Sequence, residues 1–154
     1  MTRIIKFTVP GRPHGKRAPS FNRATGHAYK NKDCVSYENR ILACFVLEAG
    51  VDFVPHDGPV QMCVKAYAPI PSSKPKWFKA AAATELFPCC VKPDTDNLQK
   101  SVADAIEHAA YTNDSRIYRS TFSTYYSSRP RLDVTLWLEE PLSKANWKEG
   151  ESDD

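Results

Sequence analysis

Apolar and polar positions recur with two different periods along this chain, and the changes of period mark its elements. Residues 3–9, R-I-I-K-F-T-V, form a short apolar and β-branched run stopped by Pro10-Gly11, which predicts a first strand. The stretch from Pro10 to Asp33 is rich in Gly, Pro, Asn, Ser and bases. A connection that long inside a compact domain is often functional, and the Thr25-Gly26 step predicts a short hairpin within it. Tyr37, Ile41, Cys44, Phe45 and Leu47 recur at helical spacing, predicting a helix over 35–48 that ends near Gly50. The turn-forming V-P-H-D-G-P of 54–59 leads into V-Q-M-C-V-K-A-Y-A, whose alternation predicts a strand over 60–68. Pro69 and Pro71 close it. Helices are expected over 74–86 and 97–110, divided by a break at 88–93, and strands over 117–126 and 132–138. The resulting order, β-α-β-α-α-β-β, predicts an α+β domain in which helices flank a mixed or antiparallel sheet.

The chain has 154 residues, 42% apolar and 25% charged, the size and makeup of one globular domain over 1–140 followed by an acidic polar tail over 141–154. A fold of this length hides roughly 70% of the unfolded surface, so it needs neither metal nor disulfide merely to cohere. No run approaches the ~18 apolar residues of a spanning helix, and the opening M-T-R-I-I-K lacks the apolar core of a secretory signal. The expected location is the cytoplasm, with no membrane partner. Cys34, Cys44, Cys63, Cys89 and Cys90 are odd in number and have no C-x-x-C pair, so reduced thiols are expected. The four histidines do not complete a zinc set with them.

Charge changes the picture more than composition does. The net charge is +3, but the last sixteen residues hold six acids and two bases, leaving 19 bases against 12 acids in the first 138. Between Gly11 and Lys32 the chain carries Arg12, Lys16, Arg17, Arg23, Lys30 and Lys32 and no acid. Such a block suits a polyanion, because each phosphate it neutralises releases condensed counterions; equally, it describes a solvated loop.

The chemistry concentrates in K-P-D-T-D-N-L-Q-K-S-V-A-D-A-I-E-H, residues 92–108. Pro93 keeps Lys92 extended, so Asp94 or Asp96 is placed to cap the helix that follows. Within that helix Leu98, Val102, Ala105, Ile106 and Ala109 share one side, while Asp96, Lys100 and Asp104 step by four along the other. As a surface feature this is a capped helix with two acid–lysine pairs worth ~0.2–0.5 kcal/mol each. As a site it offers hard oxygen ligands for magnesium, with Asn113-Asp114 in the turn after the helix able to supply a third carboxylate. Lys100, a compact charge on a long stem, is one turn from Asp96 and suited to a phosphate oxygen.

The run K-P-D-T-D-N-L-Q-K-S-V-A-D-A-I, with N-D-S-R-I some twenty residues after its first aspartate, resembles the signature of the RusA-type Holliday junction resolvases, small homodimeric endonucleases of bacteria and their phages. The resemblance implies that Asp94, Asp96 and Asp114 bind magnesium, that Lys100 is the essential lysine, and that Asp104 supports the site. It implies a homodimer acting on four-way DNA junctions. Two departures stand out: Asn113-Asp114 replaces an Asp-Asp pair, and Glu107-His108-Ala109-Ala110 replaces a turn that often contains glycine. The segment G-R-P-H-G-K-R-A-P-S is similar to the family's basic run, which points to Lys16 and Arg17 as DNA-backbone contacts, with Arg12, Arg23 and Lys30 beside them.

Three readings follow. The first is a magnesium-dependent endonuclease that resolves junctions by paired symmetric hydrolysis. The second is a non-catalytic module of the same fold that binds branched or single-stranded DNA. The third is an interaction protein with a salt-bridged surface helix. Convergence of Asp94, Asp96 and Asp114 separates the first from the other two.

Overall fold

The computed structural model describes residues 2–15, 20–29, 32–91, 94–145 and 147. Strand β1 (Arg3–Pro10) is followed by a small hairpin, β2 (Ser20–Phe21) and β3 (Ala28–Tyr29), and by helix α1 (Lys32–Ala49). Strand β4 (Val60–Pro69), helix α2 (Lys76–Ala83) and helix α3 (Thr95–Ile106) come next. A one-turn 3-10 helix (Asp114–Arg116), β5 (Ile117–Ser127) and β6 (Arg131–Leu138) complete the fold. The four long strands form one mixed sheet in the order β1-β6-β4-β5, as the α+β reading expects. β6 pairs antiparallel with both β1 and β4, while β4 and β5 run parallel. A parallel pair needs a long crossover, and α2 and α3 lie within it.

Alternation sets the register. Ile5, Phe7 and Val9 of β1, Val60, Met62, Val64 and Ala66 of β4, and Leu132, Val134, Leu136 and Leu138 of β6 point to one side and are buried. Against them lie Tyr37, Ile41 and Phe45 of α1 and Leu98, Val102, Ala105 and Ile106 of α3. Burial of each such large side chain contributes ~1.5–3 kcal/mol. A second, smaller cluster of Ala68, Ala82, Cys89 and Tyr126, with Ile70, Phe78 and Phe87 packed on it, seats α2 beside the end of β5. The outer edge of β5 is partly covered, because Cys89 donates its N–H to Thr124 O and Tyr126 donates to Phe87 O.

The structure differs from the periodicity at the helix ends, with α1 starting three residues before the expected 35 and α3 two before the expected 97. The helix expected over 97–110 stops at Ile106, since His108 turns left-handed (φ 67°) and Ala109 and Ala110 fold back onto Ile106 O. The helix expected over 74–86 spans only Lys76–Ala83, ended by Thr84 and a left-handed Glu85 (φ 64°), whose carboxylate accepts a 2.7 Å bond from Arg131 Nη2. The hairpin expected near Gly26 is present, tightened by Asn22, whose side-chain oxygen accepts from Ala24 N and Thr25 N. Among the described residues no helix is long and apolar enough to cross a membrane.

Candidate active site

Helix α3 is the platform. Asp94 is extended (φ −68°, ψ 152°) and its carbonyl accepts the N–H of Leu98 at 3.0 Å, so it starts the helix. Its carboxylate makes no capping bond and is exposed. Because Leu98, Val102, Ala105 and Ile106 are drawn into the core, Asp96 and Lys100 are left on the exposed side with Asp104 partly buried beyond them. Asp96 and Asp104 are eight residues apart, about 12 Å along a helix that rises ~1.5 Å per residue.

Beside the middle of α3 runs the start of the basic loop. Ser101, buried on the core side, donates to His14 O at 3.3 Å and to Asn97 O at 3.2 Å. The His14 ring packs 5.9 Å from Tyr37 of α1, and Gly11 N donates to Pro130 O. Residues 11–15 are thus seated between α1 and α3. Arg12 is exposed and, with Pro13, Pro69, Val91 and Tyr126, lines a cavity of about 270 Å³. Arg23 is exposed in the β2–β3 turn. Lys16, Arg17 and Lys30 lie outside the described residues.

At the far end of α3 carboxylates converge. Among the described residues, Asp104, Glu107 and Asp114 form a set of three, each offering one carboxylate oxygen within 4.8 Å of those of the other two. Two oxygens at ~2.1 Å from one magnesium are at most ~4.2 Å apart, so the spacing fits a small hard cation with modest adjustment. Asp114 reaches this end because its N–H donates to Glu107 Oε1 at 3.4 Å, while the Asn113 side chain caps the 3-10 turn by accepting from Ser115 N at 2.8 Å. Asn113, one of the two departures from the RusA signature, therefore shapes the turn that carries Asp114. Asp94 and Asp96 stand at the opposite end of the helix and are not part of that set.

The wall behind the cluster is Tyr111, wholly buried, whose hydroxyl donates to Ala103 O at 2.6 Å. Burial, and then the negative charge of Glu107, Asp114 and Asp104, hold its pKa far above the ordinary tyrosine value, so it remains a neutral donor. His108 N donates to Tyr111 O and the His108 ring contacts Thr112 O at 3.0 Å. On the outer side, one oxygen of Asp57 accepts from Thr112 Oγ1 at 2.8 Å and from Arg116 Nη2 and Nε at 3.0 and 3.2 Å. The Thr112 bond, then the Arg116 bonds and charge, lower the Asp57 pKa.

Sequence reasoning does not single out Glu107, Tyr111, Asp57, Arg116 or Ser101. Glu107 had a local signal, since it follows Asp104 by three residues and shares its helix side. Asp57 had none: it is 59 residues from Arg116, and only the fold joins them.

The sequence profile of the endodeoxyribonuclease RusA matches residues 10–137, which takes in most of β1's successors, all of α3 and the Asp114 turn. An uncharacterised protein of Bacillus subtilis, YqaN, is 33% identical over 135 residues, covering 86% of this chain and 94% of its own length. A match reaching from the basic loop through the acidic helix to β6 is one of the whole domain, and the chain belongs to the RusA endodeoxyribonuclease family.

Proposed function

We propose that this protein is a magnesium-dependent, structure-selective endonuclease that resolves four-way DNA junctions by two symmetric phosphodiester cuts. The observation that carries the reading is Asp114 meeting Asp104 and Glu107 at one end of a helix whose outer side also presents Asp96 and Lys100. Magnesium held by such carboxylates lowers the pKa of a bound water and neutralises charge on the leaving oxygen. Lys100 is suited to the charge that develops on the attacked phosphate. Arg12, Lys16, Arg17, Arg23 and Lys30 offset the repulsion between the carboxylates and DNA, contacting the backbone without reading its sequence.

A four-way junction presents two equivalent strands, and a homodimer presents two equivalent sites. The resemblance assigns Asp94, Asp96 and Asp114 to one metal site, yet within a protomer about two turns of α3 separate Asp96 from the Asp114 cluster. We therefore propose that the twofold sets the N-terminal end of α3 from one protomer against the Asp114 turn of the other. Mixed dimers of Asp96→Asn and Asp114→Asn protomers then regain one intact site and nick junctions, whereas either variant alone does not. Inactive mixtures would confine each site to one protomer.

The same separation favours a second reading, the non-catalytic module that binds branched or single-stranded DNA. Lys100→Ala tells the two apart. In an enzyme it lowers cleavage ~100-fold or more while junction affinity stays within a few-fold; an affinity loss as large as any loss of cleavage would support the module.

A further inference from the structure

Beyond the acidic cluster, the turn at 54–59 and the start of β5 enclose a groove of about 480 Å³ lined by Asp57, Ser115, Arg116, Tyr118, Glu139 and Leu142, among others. From this groove we infer a phosphodiester subsite, in which Arg116 grips a DNA backbone phosphate next to the one that is cut. The inference rests on the endonuclease reading, because it needs the substrate strand to pass Asp114.

Three observations carry it. First, Arg116 lies two residues after Asp114 in the same 3-10 turn, so its guanidinium is fixed to the turn that carries the carboxylate. Second, it is held but not used up: Nε and Nη2 both donate to Asp57 Oδ1, and its side chain is 42% exposed, leaving three of five N–H donors for a ligand. A guanidinium held on one edge presents a planar fork that matches a phosphate's oxygens. Third, the groove's other carboxylate is already engaged, since Glu139 accepts from Gln61 Nε2 at 2.5 Å and from Tyr118 Oη at 2.7 Å.

The holder is itself rigid. His56 N donates to Ala110 O, Thr112 N donates to His56 O, and the His56 ring contacts Glu139 O at 2.6 Å, so the turn bearing Asp57 is bound both to the cluster's loop and to the end of β6. Such bracing suits an arginine kept in one orientation.

The test is the salt dependence of junction binding, measured with the full chain and a synthetic four-way junction under calcium so that no strand is cut. Each phosphate contact contributes about 0.9 to the slope of log K against log salt. Arg116→Gln should lower that slope by about one and weaken binding ~10-fold near 0.1 M salt, while Arg116→Lys, which keeps the charge, restores the slope. An unchanged slope in Arg116→Gln, or equal slopes in Arg116→Lys and Arg116→Gln below wild type, would overturn the subsite. If Arg116→Gln unfolds, Arg116→Met with the same readout replaces it. Junction cleavage by the wild type in magnesium is scored in parallel: cleavage with an unchanged slope removes only this inference, whereas a wild type that neither binds nor cuts junctions removes the endonuclease reading and the subsite with it.

Discussion

At the scale of single residues, His108 and Glu85 are the described non-glycine residues with left-handed backbone, and His108 is the one beside the acidic cluster. The φ of 67° at His108 lies in the left-handed region, where a residue with a Cβ is strained by ~1–2 kcal/mol, and it falls within the run Glu107–Ala110 that stands where the RusA signature often has a glycine-containing turn. The ring's contact with Thr112 O and the His108 N–H bond to Tyr111 O hold it there. His108→Gly should therefore leave stability within about 1 kcal/mol of wild type, relief of strain offsetting the freer unfolded chain. His108→Val, β-branched, should lose more than ~1 kcal/mol; urea unfolding of the pair checks both. Asp57 gives a second prediction. Its pKa is lowered by Thr112 and Arg116, so its stabilising effect is complete above the ordinary carboxylate value of about 3.9 and is lost as pH falls through the lower folded value. Between pH 6 and 3 the melting temperature of Asp57→Asn should fall less than that of wild type, and parallel profiles would contradict the assignment. The row Asp96, Lys100, Asp104 was legible because a spacing of four is local to a helix. Tyr111 and Asp57 were not, since their partners are set by tertiary contacts.

At the scale of elements, the loops do more to shape the site than the helices. The turn at 54–59 can pack beneath β6 only because Gly58 has no side chain: a Cβ there would meet Glu139 O at 2.6 Å and His56 Nε2 at 2.8 Å. Gly58→Ala should destabilise the protein by ~1–3 kcal/mol, read by denaturant unfolding, and should loosen Asp57 with it. A neutral substitution would show that the turn shifts freely. The strands were readable almost to the residue, β1, β4, β5 and β6 each differing from expectation by only one residue at an end, because apolar alternation against a single core is a strong local signal. Helix ends were less so. Ala109 and Ala110 favour helix, and nothing local announces that Tyr111 must turn inward beneath α3. Nor does periodicity distinguish a parallel from an antiparallel β4–β5 pair; the long crossover decides it.

At the scale of the whole molecule, the proposed function turns on charge and symmetry. Five of the twelve acids among residues 1–138, Asp94, Asp96, Asp104, Glu107 and Asp114, lie on α3 or in the segments that flank it, with Arg12 lining a cavity beside Val91 ahead of the helix and Arg116 in the turn after it. On the endonuclease reading proposed above, DNA that meets both ends would follow the length of α3, and a twofold partner would provide the second strand's site. The sequence signature pointed to Asp94, Asp96 and Asp114 as a group, but the distance between the two ends of α3 is a property of the folded protomer that no motif displays. The most direct measurement is strand cleavage of a synthetic four-way junction, with a linear duplex of the same sequence as control, with and without magnesium, for wild type, Asp96→Asn and Asp114→Asn. Paired symmetric nicks are expected in the junction alone, dependent on magnesium and lost in both variants. Tight junction binding without cleavage under any divalent metal, or variants that cut as well as wild type, would contradict the endonuclease reading.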